Sequence, residues 1–164
     1  MRVTARTSFG PAARPIIAPA AGERYSVGMS VVVAVDFGEK RIGLATSDAT
    51  GTLATPRTTL VRKSDAAAVT ELARFCREEE SGLVVFGIPR SPEGVESPFA
   101  ARIRSFAARF ARETGLDVRF HEETLTSDEA SRRLPPGARR EDVDRTAAAV
   151  LLEDYLAHAR AEAR

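Results

Sequence analysis

The stretch Val31-Val32-Val33-Ala34-Val35-Asp36-Phe37-Gly38-Glu39-Lys40-Arg41-Ile42-Gly43-Leu44-Ala45 (VVVAVDFGEKRIGLA) decides how this chain folds. Five apolar residues run straight into Asp36, and a Gly-containing turn sends the chain back through Ile42 to Ala45. An apolar run this short, closed by a turn, reads as a strand buried on both faces. A carboxylate at the end of such a strand is out of place, because a charge taken out of water is costly unless it is paired or binds a cation. The turn that follows presents Lys40 and Arg41 beside the backbone N–H groups of Gly38 and its neighbours. Donors and cations around a buried carboxylate suit a phosphate held through a metal. The plainer alternative is a hairpin turn capped by an Asp.

Working outward, Ile42–Ser47 continues as a second strand and Thr52–Val61 as a third, joined through Asp48-Ala49-Thr50-Gly51. Links this short make the three an antiparallel meander. Ser64 caps a helix from Asp65 to about Glu79, with Val69, Leu72, Ala73 and Cys76 at helical spacing. Leu83–Ile88 is a second wholly apolar strand, so the helix between makes a parallel crossover. Arg90–Ser97 reads as a flexible polar loop, and Ser97 with Pro98 opens the next helix. Phe99, Ile103, Phe106 and Phe110 form its buried stripe, a core feature rather than a base-stacking platform, and Gly115 closes it. A fifth strand follows over Leu116–Glu122, with Val118 and Phe120 facing one way. A capping box at Thr126-Ser127-Asp128-Glu129 starts a short helix, and the last helix begins near Glu141, after Pro135-Pro136-Gly137. The sum is an α/β chain with one domain over residues 29–164.

Residues 1–28 are rich in Ala, Pro and Arg, lack periodicity, and read as a disordered extension without a catalytic role. They carry Arg2, Arg6, Arg14 and Arg24 against Glu23, a balance of +3, which leaves −2 for the rest of a chain of net charge +1. The folded part is therefore no general polyanion binder, and nucleic-acid contact has to come from local patches. No apolar run spans a bilayer, which argues against a membrane protein. The single Cys76 excludes a disulfide framework and fits a reducing cytoplasm, with the thiol as an ordinary core residue.

Three carboxylates break the local rules. Asp36 ends the first strand, Glu123 follows the fifth beside Glu122, and Asp144 shares a helical stripe with Ala148, Leu151 and Tyr155. Glu122 and Glu123 point to opposite sides of a pleated strand, so at most one can face Asp36. Taken singly, Asp144 also fits a helix's acidic first turn and Glu123 a solvated strand end. His121 and His158 show no partner at metal-ligand spacing, and no Ser or Cys nucleophile is supported.

The order of elements resembles the ribonuclease H-like fold, a five-stranded mixed sheet of a three-strand meander plus parallel strands, flanked by helices. The motifs resemble those of the YqgF/RuvX family, described as Holliday junction resolvases and as nucleases maturing the 5′ end of pre-16S ribosomal RNA. Asp36–Ala45 matches the family's D-[FY]-G-x-K-R-[IV]-G-x-A without a departure, and Val85-Phe86-Gly87-Ile88-Pro89 matches V-x-G-x-P. Glu122–Ala130 matches D-E-R-L-T-T-x-E-A with changes, and Asp144–Leu156 matches the closing D-x-x-A-A-x-x-L-L-x-x-[YW]-L. Thr124 stands where the family has Arg, which removes a guanidinium fork for phosphate, and Glu122 stands where it has Asp.

The resemblance implies a metal-dependent nuclease with Asp36, Glu123 and Asp144 as catalytic metal ligands. Hard Mg²⁺ or Mn²⁺ suits such oxygen donors, and two ions about 3.5–4 Å apart suit in-line phosphodiester hydrolysis. Asp36 would bridge them. Lys40 and Arg41 would hold phosphate, with Arg90, Arg139, Arg140 and Arg145 as a basic rim whose members each also fit a solvated surface role. The partner would be nucleic acid, either branched DNA or precursor rRNA. Symmetric cutting of a junction would require a two-fold homodimer, whereas RNA end trimming would not. Two other classes stay open. A sugar-kinase-like ATPase also uses a D-x-G turn but needs a second lobe, for which this chain has no room. A nucleic-acid or ribosome-binding module could keep the fold without the activity.

Overall fold

The computed structural model describes residues 30–90, 95–123 and 126–162, the side chains of residues 123, 126 and 127 excepted. The stretch 1–28, most of the polar loop after Arg90, and Thr124 lie outside the described residues. So does the Thr126 side chain that would open the capping box. The strands are β1 (Val31–Phe37), β2 (Arg41–Ser47), β3 (Ala54–Val61), β4 (Ser81–Pro89) and β5 (Asp117–Glu123). The helices are α1 (Asp65–Glu78), α2 (Pro98–Thr114), α3 (Thr126–Arg133) and α4 (Arg140–Glu162). They form one sheet in the order β3-β2-β1-β4-β5. The first three strands are antiparallel, and β4 and β5 run parallel to β1. The expected meander and parallel crossovers are therefore both present. Pro56, which has no N–H to donate, sits on the edge strand β3, where its loss costs least.

Local chemistry sets the helix ends where the sequence puts them. Ser64 Oγ accepts from the Ala67 N–H at 3.1 Å, and Ser97 Oγ accepts from the Ala100 N–H at 3.1 Å. Gly115 ends α2 with φ +72°, a left-handed conformation that a β-carbon disfavours. In the β2–β3 turn the Asp48 carboxylate accepts the N–H groups of Leu53, Thr52 and Thr50. These donors hold its pKa well below the usual carboxylate range, with the Leu53 bond the largest contribution.

Each strand of the sheet centre contributes to two different cores. Val33, Val35 and Phe37 of β1, with Val84 and Phe86 of β4, pack against α1 and α2. Phe106 and Phe110 are buried there, and the Phe37 and Phe106 rings lie 4.8 Å apart. Cys76 belongs to this core, where burial pushes its thiol up to about 12. The other face carries Val32, Ala34, Ala45, Leu83 and Val85, and α4 covers it with Ala148, Ala149, Leu151, Leu152, Tyr155 and Leu156. Among the described residues no helix is long and apolar enough to cross a membrane.

Candidate active site

Strand alternation puts Asp36 on the α4 face, two residues past Ala34. Its antiparallel partner is Gly43 of β2. A β-carbon built on Gly43 would lie 2.0 Å from the Asp144 carbonyl oxygen and 2.3 Å from its carbonyl carbon. No side chain fits there, so the backbone of α4 rests directly on β2. One glycine thus separates the strand residue Asp36 from the helix residue Asp144. The spacing D-x₆-G within VVVAVDFGEKRIG is the sequence form of this contact: seven residues from Asp36, the hairpin returns Gly43 opposite it.

The start of α4 is fixed by its own side chains. The Asp142 and Val143 N–H groups both donate to the Arg139 carbonyl, at 2.9 and 3.2 Å, and the Asp142 carboxylate accepts from the Arg139 N–H at 3.3 Å. The Asp142 carboxylate thus satisfies the N–H at the head of the helix, the half of a capping box that an acidic third residue supplies. Thr59 of β3 adds a bond from its hydroxyl to the Glu141 carbonyl at 2.7 Å. The helix then runs from β2 toward β5. From Asp144 to Asp154 it rises about 15 Å, close to the three strand spacings, roughly 14 Å, between β2 and β5.

Arg41 and Asp144 meet. Arg41 Nε donates to Asp144 Oδ2 at 2.6 Å, with both side chains about a quarter to a third exposed. The residue expected to hold phosphate is thus held by the residue expected to hold metal. A carboxylate has two oxygens, and Oδ1 of Asp144 has no hydrogen-bond partner among the described residues.

The β1–β2 turn departs from expectation in one respect. The Gly38 N–H is spent on the Arg41 carbonyl at 2.9 Å, so it closes the hairpin rather than facing a phosphate. A β-carbon at Gly38 would sit 2.6 Å from that same carbonyl oxygen. The turn is braced by Arg62, which the sequence did not single out. Its Nη1 donates to the carbonyls of Gly38 and Glu39 at 3.0 and 2.9 Å, and its Nε to Asp65 at 2.9 Å. Its guanidinium also stacks 4.6 Å from the Phe37 ring centre. Lys40 is exposed at the tip, with no ion-pair partner among the described residues.

Glu123 closes β5 opposite Pro89 and has the same strand parity as His121. Its side chain lies outside those described. β1, β4 and β5 run parallel, so Asp36 and Glu123 sit toward the same end of the sheet. Glu122 is exposed and lies 3.8 Å from the exposed Arg90 across β4–β5. Arg139 is exposed and 3.5 Å from Asp142, which also pairs with Arg145 at 2.8 Å. Arg140, in the first turn of α4, is exposed as well. These arginines are solvated, and Arg139, Arg140 and Arg145 stand in the same opening turns of α4 as Asp144.

One expectation is overturned. His121 and His158 do have partners at metal-ligand spacing. His121 Nε2 lies 2.7 Å from Asp154 Oδ2, and the two imidazole centroids are 5.2 Å apart. The contact spans 33 residues of sequence and depends on where α4 crosses β5, so no local pattern announces all of it. The Asp154-x₃-His158 pair, one helical turn apart, was the legible half.

A mixed five-stranded sheet with acidic residues on β1, at the end of β5 and on the helix seated against β2 defines a ribonuclease H-like domain. Thermus thermophilus RuvC, solved in complex with a Holliday junction substrate, superposes with a TM-score of 0.53. That match covers 79% of this chain and 95% of that one at 12% identity, so it bears on the fold alone. The family model RuvX, described as Holliday junction resolvase, matches residues 30–158, and the chain belongs to this family. A relative from Anaplasma marginale (strain St. Maries), bearing the provisional name pre-16S rRNA nuclease, is 34% identical over 130 residues. The match covers 76% of this chain and 83% of that relative. A relative of the same name from Syntrophus aciditrophicus (strain SB) is 37% identical over 130 residues, 76% of this chain and 87% of its own.

Proposed function

We propose that this chain is a divalent-metal-dependent nuclease that hydrolyses phosphodiesters in structured nucleic acid, with precursor 16S rRNA as its substrate. The observation that carries the reading is the seat of Asp144 on Gly43, directly beside Asp36. A helix Asp whose backbone rests on the strand residue paired with Asp36, both acids part-exposed, supports an all-oxygen donor set made by the two carboxylates. Hard Mg²⁺ or Mn²⁺ prefers such donors. Asp36, Asp144 and Glu123 would hold the metal, with two ions as the arrangement proposed. When bound, they supply charge neutralisation and an activated water.

The chain's own residues do the rest. Arg41, tied through Nε to Asp144 Oδ2, keeps that carboxylate oriented. Its guanidinium also offers a fixed positive group beside the site. Arg62 locks the carbonyls of the turn, which holds Lys40 at the exposed tip where a phosphate can reach it. Arg90, Arg139 and Arg140 give the salt-dependent, sequence-independent part of binding. A nuclease working in the cytoplasm fits this design.

The RNA reading rests on the relatives at 34–37% identity. The family description favours a second reading, resolution of a four-way DNA junction, which calls for a homodimer with two symmetric centres. A side-by-side assay separates them. Wild type and Asp144→Asn are offered a mobile four-way junction and a structured RNA with a precursor 5′ extension, each with Mn²⁺ or Mg²⁺. Trimming of the RNA alone, lost in the variant, supports the proposal. Symmetric nicking of the junction moves the assignment to a resolvase. Binding without cutting of either substrate would make the chain an inactive module.

A further inference from the structure

We infer that His121, Asp154 and His158 form a second cation site, separate from the carboxylate centre and suited to a borderline-soft divalent metal of the zinc type. One ligand atom from each residue lies within 4.8 Å of the other two. Zinc bonds nitrogen and oxygen at about 2.0–2.2 Å, so tetrahedral ligands stand roughly 3.3 Å apart. Closing the gap takes only side-chain adjustment, because His158 and Asp154 are 65% and 55% exposed. His121 is the anchored member at 15% exposure, with the Tyr155 ring edge-on at 5.8 Å.

The hydrogen bonds already present orient the donors. His158 Nδ1 lies 3.0 Å from the Asp154 carbonyl oxygen. A carbonyl only accepts, so Nδ1 carries the hydrogen and Nε2 keeps the lone pair. Nδ1 also lies 3.5 Å from Asp154 Oδ1, so offering Nε2 to a metal is part of the adjustment that the exposed ring makes. A ligand imidazole held through its other nitrogen is the usual supporting arrangement. His121 Nε2 donates to Asp154 Oδ2 at 2.7 Å. A metal would take the place of that hydrogen, which moves to Nδ1 as the ring changes tautomer. Two neutral imidazoles and one carboxylate carry −1, which attracts a dication and leaves at least one coordination position for water. The nitrogen donors set this site apart from the all-oxygen set at Asp36 and Asp144, since Mg²⁺ prefers oxygen.

The site would staple β5 to α4 at the far end of the helix from Asp144, about 15 Å along its axis. Its strand member stands two residues before Glu123, so occupancy would fix β5 against α4 just ahead of that residue.

The test is a Zn²⁺ titration by calorimetry on the Asp36→Asn/Asp144→Asn double variant, which takes two of its three carboxylates from the other centre. One Zn²⁺ per chain should bind, and adding His158→Ala, an exposed change, should weaken it on the order of 100-fold. In the otherwise unaltered chain, Co²⁺ should give visible ligand-field bands that vanish in His158→Ala and in Asp154→Asn. Zn²⁺ should also raise the melting temperature of the unaltered chain more than that of His158→Ala. Absence of Zn²⁺ binding in the double variant, or an affinity unchanged by His158→Ala, would overturn the assignment.

Discussion

The two faces of the sheet are built from the same strands, one residue out of step, and they do different work. Toward α1 and α2 stand Val33, Val35, Phe37 and Phe86, filled in by Phe106 and Phe110. Toward α4 stand Val32, Ala34, Asp36, Gly43 and Ala45, met by Ala148 and Ala149. Large side chains keep α1 and α2 at ordinary packing distance and bury apolar area. Small ones bring α4 down until its backbone touches β2. The first face gives stability. The second gives up side-chain volume, and the Asp144 backbone comes to rest on the strand residue paired with Asp36, 108 residues away in sequence.

Matched substitutions should separate the faces most sharply. Asp36→Asn is expected to lower metal-dependent cleavage on the order of 10³-fold, about 4 kcal/mol of transition-state stabilisation, with an unchanged denaturation midpoint. Phe106→Ala should do the reverse, costing about 3–5 kcal/mol in urea unfolding while cleavage per folded molecule persists. If both variants lost stability alike, the division between the faces would be broken.

Gly43→Ala comes next, because it adds one carbon where the Asp144 carbonyl already sits. Stability should fall by about 1–3 kcal/mol, the usual cost of overpacking. Cleavage should fall further than stability explains, since α4 must lift away from Asp36. A Gly43→Ala chain with full activity and wild-type stability would mean that the close seat is not needed.

The smallest effect belongs to the surface of the same end. Lys40→Ala should weaken nucleic-acid binding uniformly across sequences and reduce the slope of log affinity against log salt by about 1. A sequence-dependent effect would place Lys40 at a base rather than a phosphate.

Much of this architecture was legible because it is local. Ser64 and Ser97 as caps, the Phe99-to-Phe110 stripe and the apolar runs of β1 and β4 each declare themselves within a dozen residues. The three carboxylates were legible as violations of that local order, and the motif order pointed to the family that the comparisons then showed. What escaped was long-range. The Arg41–Asp144 pair spans 103 residues and gives each partner a neighbour that neither segment reveals. No local pattern marks Arg62, whose side chain is buried and braces the hairpin before it. His121 reached its partners only through the crossing of α4 over β5.

If Gly43 lets Asp36 and Asp144 serve one metal centre, a single ion should meet both carboxylates. Anomalous diffraction from crystals soaked in Mn²⁺ tests it most directly. Manganese should be bound by carboxylate oxygens of both Asp36 and Asp144, with the Gly43–Asp144 contact intact. Manganese held by Asp36 without Asp144, or absent from both while bound elsewhere, would contradict it.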